Sequence, residues 1–170
     1  MIRLEKISEQ DYINSCKIVL HRDDIDTIKK EYSEISIPTR TSLGSAGYDI
    51  SLPFGINLKA GERICIPTGI CLKSDRADIC GIVMPRSSTG VTFGMRFVNT
   101  TPLIDVDTVQ GFGGNQILLF IEVDKDCVLQ KGYKFAQIVI VPYLTIDNDN
   151  VIMKIEKSLF KKQGYTPWGL

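Results

Sequence analysis

The apolar positions divide this chain of 170 residues into a helical start and a long region of short strands. Across residues 9–20 the apolar side chains form a partial stripe at helical spacing, and Ser8 stands directly before it as an N-cap residue. A second, charge-rich helix is predicted from Ile25 to Tyr32. We therefore expect residues 1–32 to form a short helical extension.

From Ile35 onward the pattern changes to short β-branched runs separated by Gly, Pro, Asn and Asp. The predicted strands are Tyr48–Ser51, Arg63–Ile66, Gly69–Lys73, Ile79–Met84, Phe97–Asn99, Ile117–Val123, Phe135–Pro142 and Val151–Ile155. Such strands without intervening helical periods favour an all-β sandwich, jelly roll or small barrel. We expect this β domain to span residues 33–158, and residues 159–170, rich in Gly and Pro, to form a mobile tail.

Composition and charge narrow the classes of function. The chain has 20 basic and 20 acidic residues, so no broad basic face for nucleic acid is expected. It has no apolar run of about 18 residues, so no membrane span is predicted, and its N-terminus lacks a signal-peptide pattern. Five cysteines without C-x-x-C spacing favour reduced thiols and a cytoplasmic protein, or a host cytoplasm if the chain is viral.

Four segments carry polar groups that suit phosphate chemistry. Asp49 follows the small residues of SLGSAGY, and the turn PRSSTG offers an arginine and two hydroxyls to phosphate oxygens. Asp105 follows an apolar pair, so its carboxylate is expected to be partly buried, and Gln137 places an amide in an apolar strand. The single histidine, His21, lies in a polar stretch, which disfavours a histidine-dependent nucleophile. Each segment alone also has a purely structural explanation.

In their order and spacing, these segments resemble the first four motifs of the trimeric dUTPase family. The matching strings are Ala46–Ile50, Pro85–Ser88, Asn99 with Leu103–Asp105, and Gly132–Pro142. The resemblance implies a jelly-roll-like subunit and a homotrimer whose active sites draw motifs from more than one chain. It also implies hydrolysis of dUTP to dUMP and pyrophosphate, with Mg2+ that arrives chelated by the triphosphate.

The resemblance assigns the phosphate-binding residues. Arg86, Ser87 and Ser88 correspond to the phosphate-binding loop, although Arg86 can instead hold that loop through a salt bridge. Gln137 corresponds to the amide that contacts the phosphate chain. Asp49 corresponds to the acid that supports the magnesium shell through water, so no residue is expected to ligate the metal directly.

The third motif supplies the catalytic and nucleoside-binding residues. Asp105 corresponds to the general base that activates water for attack on the α-phosphorus, and Asn99 to the residue that reads the uracil edge. The family's sugar-packing tyrosine is replaced by Thr108, so we assign that packing to Phe112 in a hairpin longer than usual. The longer hairpin leaves hydrolysis of a 5-substituted dUTP as an alternative.

The fifth motif of the family survives only in outline in the last ten residues. Tyr165 is assigned to stack over the base, and Lys161 or Lys162 to meet the terminal phosphates. Lysine is a point charge without the bidentate fork of the family's arginine. A tail docked through Trp168 for stability or trimer contact is the alternative.

Two further functions stay open. The dCTP deaminases share the fold, but their arginine before the Ile–Asp pair is Leu103 here, and their glutamate aligns with Phe120, two residues before Glu122. A trimer that regulates a protein partner, with or without hydrolysis, is the other alternative, with the N-terminal extension and the long hairpin as the surfaces that bind it.

Overall fold

The computed structural model describes residues 1–106 and 116–147; the predicted strand at 151–155 and the C-terminal tail lie outside these ranges. In chain order the described elements are β1 (Ile2–Lys6), α1 (Glu9–Leu20), α2 (Ile25–Ser33), β2 (Tyr48–Ser51), β3 (Ile56–Leu58), β4 (Arg63–Pro67), β5 (Ile70–Ser74), β6 (Ile79–Pro85), α3 (Ser87–Phe93), β7 (Arg96–Phe97), β8 (Leu103–Asp105), β9 (Leu118–Glu122), β10 (Cys127–Leu129) and β11 (Lys134–Pro142).

The described strands pair in antiparallel fashion in four small sheets. Their orders are β1-β5, β10-β3, β2-β11-β6-β8 and β4-β9-β7. The inward-facing side chains of these sheets form one apolar core, whose fully buried members include Ile50, Leu52, Ile66, Val83, Leu119, Ile121, Phe135 and Ile138. The predicted all-β class is confirmed. No helix among the described residues is long and apolar enough to cross a membrane.

The N-terminal residues contain both predicted helices and one strand that the pattern did not reveal. The Ser8 hydroxyl accepts a hydrogen bond from the Asp11 amide at 3.1 Å, and this N-cap starts α1 where predicted. Strand β1 pairs along the whole of β5, from Ile2 opposite Ser74 to Lys6 opposite Ile70. The chain therefore enters α1 from a strand that pairs with the β domain, and it continues from α2 into that domain.

Two local predictions are wrong. The segment PRSSTG, predicted as a turn, begins helix α3 at Ser87, and this helix ends at Gly94 in the left-handed conformation (φ 62°). Asn99, predicted at a strand end, lies beyond β7 in a turn where Thr100 has φ 65° and the Thr101 amide donates to the Asn99 carbonyl at 2.7 Å. In both places local backbone hydrogen bonds override the strand-and-turn pattern.

Candidate active site

Asp49, in β2, is the centre of a cluster of polar side chains. It is only 8% exposed. Its Oδ2 atom accepts a hydrogen bond from the Thr41 hydroxyl at 2.9 Å and forms ion pairs with Arg86 Nη1 at 2.8 Å and Lys134 Nζ at 3.1 Å. One carboxylate oxygen therefore connects the first, second and fourth of the segments identified in the sequence.

The surroundings of Asp49 keep its carboxyl group ionised. Burial by itself raises the pKa, but the hydrogen bonds from Lys134 and Thr41 and the charge of Arg86 outweigh burial, and the pKa lies below its ordinary value. The resulting anion fixes the Arg86 guanidinium at the start of α3. The structure thus shows Arg86 in the salt bridge that the sequence left as its alternative role.

A β-bulge in β11 places Lys134 on the same face as Asp49. Lys134 lies opposite Ser51, whereas Gln137 lies opposite Asp49, so β11 contains one extra residue between them. Side chains three residues apart on a regular strand point to opposite faces, and one inserted residue returns them to the same face. The bulge therefore gives Asp49 both a cation and a neighbouring amide.

The Gln137 amide lies against the backbone of the first motif. A Cβ atom at Gly47 would lie 2.5 Å from Gln137 Oε1, so a side chain at position 47 would displace this amide. Because β11 pairs with β6 as well as β2, Gln137 is also level with Met84, one residue before Pro85 at the end of β6. Gln137 thus lies beside Asp49 and Gly47, within the same cluster.

The start of α3 is docked on β11 by a single carbonyl. The Arg86 amide donates to the Phe135 carbonyl at 3.0 Å, and the buried Thr89 hydroxyl donates to the same oxygen at 3.2 Å. Ser87 and Ser88 are exposed in the first helical turn, where backbone amides lack an acceptor within the helix. This turn can bind an oxyanion through hydroxyl and amide groups.

Asp105 lies apart from this cluster, and the expectation that its carboxylate is partly buried is wrong. It is exposed at the end of β8, which is an edge strand of its sheet among the described residues. It faces Cys80 on β6, whereas Arg86 follows the other end of β6. At about 3.3 Å per residue, the six positions from 80 to 86 correspond to about 20 Å. Burial and the charge of Asp105 raise the pKa of the Cys80 thiol.

The sheet face between the two groups is apolar. Cys80, Ile82 and Met84 alternate along β6, so Asp105 and the Asp49 cluster lie on the same face of the sheet. On that face Leu103 is 58% exposed and Met84 is 37% exposed. Exposed apolar surface of this kind, rimmed by polar groups, is typical of a protein–protein contact.

The remaining predicted residues divide into exposed and undescribed ones. Asn99 is exposed in its turn. Phe112, Lys161, Lys162 and Tyr165 lie outside the described residues. Within the described ranges, no group of three or more His, Cys, Asp or Glu side chains could hold a metal ion.

Sequence reasoning missed two members of the cluster, Thr41 and Lys134. Lys134 lies within the fourth motif and Thr41 directly precedes the string SLGSAGY, but neither sequence pattern reveals a contact with Asp49. Glu122, which kept the deaminase alternative open, forms ion pairs with Arg63 at 2.7 Å and Arg96 at 2.5 Å on a different sheet. These two cations give Glu122 a structural role.

Replacing Asp49 by Asn tests the charge at the centre of the cluster. We expect Asp49→Asn to lower the free energy of unfolding at about pH 7 by about 1–3 kcal/mol, because Arg86 and Lys134 lose a shared anion. Since the native pKa is lowered, this contribution is complete above the unfolded value of about 3.9 and is lost as the pH falls through the native pKa.

Urea unfolding of both proteins at several pH values measures this difference. The matched control is Asp78→Asn, which removes an exposed ion pair with Arg76 and should leave the free energy of unfolding nearly unchanged. A gap between wild type and Asp49→Asn that stays constant down to about pH 3 contradicts the assignment.

The dUTPase family model matches residues 33–165 of this chain. The deoxyuridine 5'-triphosphate nucleotidohydrolase of Buchnera aphidicola subsp. Acyrthosiphon pisum is 32% identical over 132 residues, which are 74% of this chain and 84% of the relative. The enzyme of the same name from Haemophilus ducreyi is 28% identical over 134 residues, covering 78% of this chain and 86% of the relative.

Solved dUTPase structures share the fold. The dUTPase from Streptococcus mutans has a TM-score of 0.63 at 24% identity and covers 85% of this chain and 98% of its own. A mutant dUTPase from phage phi11 of S. aureus has a TM-score of 0.57 at 20% identity, with 89% and 96% covered. The matched family model, the relatives and the common fold together place this chain in the dUTPase family.

Proposed function

We propose that this chain hydrolyses dUTP to dUMP and pyrophosphate in an active site shared between copies, with Asp105 as the general base. The named relatives and the family support dUTP hydrolysis by this chain. The main support for this arrangement is that the cluster around Asp49 and the Asp105 carboxylate lie on one face of the sheet. Arg86 and Ser88 lie at one end of this face, and Asp105 lies about 20 Å away.

This separation favours a site that is shared between two copies. In-line attack at phosphorus requires the water and the phosphorus atom to lie within about 3.5 Å of each other. A backbone separation of about 20 Å therefore disfavours attack on a phosphate chain held by Arg86 and Ser88 by a water activated by Asp105 of the same copy. We infer that a second copy brings its Asp105 to the phosphates.

The apolar surface supports closed assembly of identical copies. Leu103 and Met84 lie exposed on the face between the two polar groups. Beyond β11, Leu144 is 98% exposed and Ile146 is 70% exposed. These two apolar side chains are available to pack against another copy. When the phosphate side of each copy meets the Asp105 side of the next, a ring forms, and the family resemblance makes that ring a homotrimer.

The phosphate side provides binding and charge neutralisation. The Ser87 and Ser88 hydroxyls and first-turn amides bind phosphate oxygens, while the Arg86 guanidinium adds positive charge in a position fixed by Asp49. Gln137 contributes its amide to the phosphate chain from the adjacent strand. Asp105 of the neighbouring copy accepts the proton of the attacking water, and pyrophosphate leaves.

The metal is proposed to arrive with the substrate. Asp49 Oδ2 already contacts Arg86, Lys134 and Thr41, so this carboxylate does not suit direct ligation and can act on Mg2+ only through water. The mutant dUTPase from phage phi11 coordinates a structural Mg(II) ion. Bound to the triphosphate, Mg2+ supplies neutralisation of phosphate charge.

The nucleoside is proposed to lie on the Asp105 side. Asn99, exposed in its turn, reads the uracil edge, and Phe112 packs on the deoxyribose. Tyr165 stacks over the base from the tail, whose Lys161 or Lys162 meets the terminal phosphates. Phe112 and the tail residues are assigned from the resemblance alone.

The cellular setting and further partners are part of the same proposal. All five cysteines are free and buried, which suits a reducing cytoplasm or host cytoplasm. Phage dUTPases, including that of Staphylococcus bacteriophage 80alpha, control transfer of virulence genes. Helices α1 and α2 show no feature that favours a regulatory role, in which the chain binds a protein partner, over dUTP hydrolysis.

A complementation experiment tests the shared site. Asp105→Asn and Arg86→Ala are each expected to lower kcat by at least about 100-fold, because one loses the base and the other a phosphate contact. Each variant carries a different tag, and co-expressed mixed trimers are purified through both tags. Every mixed trimer then contains one intact site in three, so about one third of wild-type activity should return.

Pyrophosphate release from dUTP with Mg2+ is the measurement. Mixed trimers of Asp105→Asn with a differently tagged Asp105→Asn chain are the control and should stay inactive. Mixed Asp105→Asn and Arg86→Ala trimers that also stay inactive, although they assemble, show that one copy supplies both groups.

The tail assignment has its own test. Deletion of residues 161–170 should lower turnover of dUTP strongly while leaving the melting temperature and the trimer intact, because only base stacking and terminal phosphate contacts are removed. Trp168→Ala serves as the matched control for simple docking of the tail. Unchanged turnover in the deletion variant refutes the assigned role of Tyr165 and the two lysines.

A further inference from the structure

The cluster around Asp49 contains one more cation than its carboxylate can balance. Arg86 Nη1 and Lys134 Nζ both pair with the same oxygen, Asp49 Oδ2, at 2.8 Å and 3.1 Å. Among the residues that the structure describes, neither cation has a second carboxylate partner. The cluster therefore carries a net positive charge, which an anion from solution can balance.

Lys134 is the partner that Asp49 can lose. Without it, the carboxylate keeps the Arg86 guanidinium at 2.8 Å and the Thr41 hydroxyl at 2.9 Å, so the buried anion stays paired. The Lys134 side chain is 47% exposed, whereas that of Arg86 is 33% exposed. Because lysine carries a compact charge on a flexible stem, Lys134 can move from Asp49 to a neighbouring anion.

The backbone places Lys134 beside the start of α3. The carbonyl of the next residue, Phe135, accepts hydrogen bonds from the Arg86 amide at 3.0 Å and the Thr89 hydroxyl at 3.2 Å. The β-bulge in β11 keeps Lys134 on the same face as Asp49. A partly exposed lysine thus stands next to the segment that is proposed to bind phosphate.

We propose that Lys134 binds a phosphate oxygen of the nucleotide and leaves Asp49 to do so, while Arg86 stays paired with that carboxylate. This contact rests on the proposed function, because it adds Lys134 to the residues that hold the phosphate chain of dUTP. The group that Lys134 recognises is a di- or triphosphate, whose non-bridging oxygens accept charge-assisted hydrogen bonds from an ammonium. Lys134 is thus a phosphate-binding residue of the fourth motif, in addition to Gln137.

Asp49 keeps Lys134 in position when no nucleotide is bound. Exchange of the carboxylate for a phosphate replaces one charge-assisted hydrogen bond by another, so Lys134 gains an anion without losing a partner. The ammonium then neutralises charge on the phosphate chain, as phosphoryl chemistry requires. Lys134 on β11 and Arg86 at the start of α3 therefore hold the phosphates from two elements of the same copy.

Binding of pyrophosphate with Mg2+ to the full-length protein tests this contact without turnover of dUTP. In titration calorimetry, Lys134→Met should weaken binding about tenfold, because one charge-assisted hydrogen bond is lost. Lys134→Arg keeps the positive charge and should bind pyrophosphate within about threefold of the wild type. Loss in the first variant and rescue in the second identify the charge at position 134 as the cause.

Lys131→Met is the matched control. Lys131 precedes Lys134 on the same segment, its side chain is 34% exposed, and its ammonium pairs with the Glu34 carboxylate. The control removes the same charge and should leave the affinity for pyrophosphate within about twofold of the wild type. Urea unfolding checks the fold. The midpoint of Lys134→Met should lie above that of Asp49→Asn, because Asp49 keeps two of its three partners.

The outcomes separate this inference from the proposed function. Equal affinities for pyrophosphate in Lys134→Met and Lys131→Met overturn the inference, and so does an affinity in Lys134→Arg as low as that in Lys134→Met. A wild type that does not bind pyrophosphate, or a urea midpoint of Lys134→Met as low as that of Asp49→Asn, overturns it as well. If the wild type binds pyrophosphate through Lys134 but does not release it from dUTP, the proposed function fails while the contact stands.

Discussion

One carboxylate oxygen, Asp49 Oδ2, determines how the residues proposed to bind phosphate are arranged. It is nearly buried, and it contacts Arg86, Lys134 and Thr41, which come from three separate segments. A buried anion is costly unless it is paired and hydrogen-bonded, and three donors meet that requirement here. Because the guanidinium is fixed by this anion, the first turn of α3 presents its hydroxyls in a defined position. The organisation of the phosphate side thus follows from satisfying one buried charge.

The register of the central sheet imposes the second constraint. Strand β11 pairs on both sides, with β2 and with β6, and so places the Asp49 row at one end of the sheet. Strand β8 pairs with the other end of β6 and carries Asp105 there. A single copy therefore holds the two halves of the proposed chemistry on one face but about 20 Å apart. In the proposed arrangement, assembly of copies brings the halves together and covers the apolar face between them.

The sequence predicted elements with a clear local pattern well. Tyr48–Ser51 matches β2 in both bounds, and Ser8 caps α1 as its residue type and position indicated. The three-residue strands β3, β8 and β10 were not predicted, because three residues are too few for an alternating pattern to stand out. Their strand conformation comes from pairing with distant partners, which no local pattern contains.

The sequence predicted which residues belong to the candidate site, but it did not predict their contacts or their burial. The motifs indicated Asp49, Arg86 and Gln137, and the structure brings these three together. Lys134 was missed because its contact with Asp49 depends on a bulge, and a one-residue change of register decides which face a side chain takes. Burial of Asp105 was wrongly expected, because an apolar pair before a carboxylate does not reveal that the strand lies at a sheet edge.

The central claim is that one nucleotide contacts two copies of this chain. A crystal structure of the assembled protein with Mg2+ and a non-hydrolysable dUTP analogue tests it most directly. The account predicts that Arg86 and Ser88 of one copy bind the phosphates while Asp105 of another copy holds a water in line with the α-phosphorus. A nucleotide bound by Arg86 and Asp105 of the same copy, or an α-phosphorus remote from every Asp105, would contradict it.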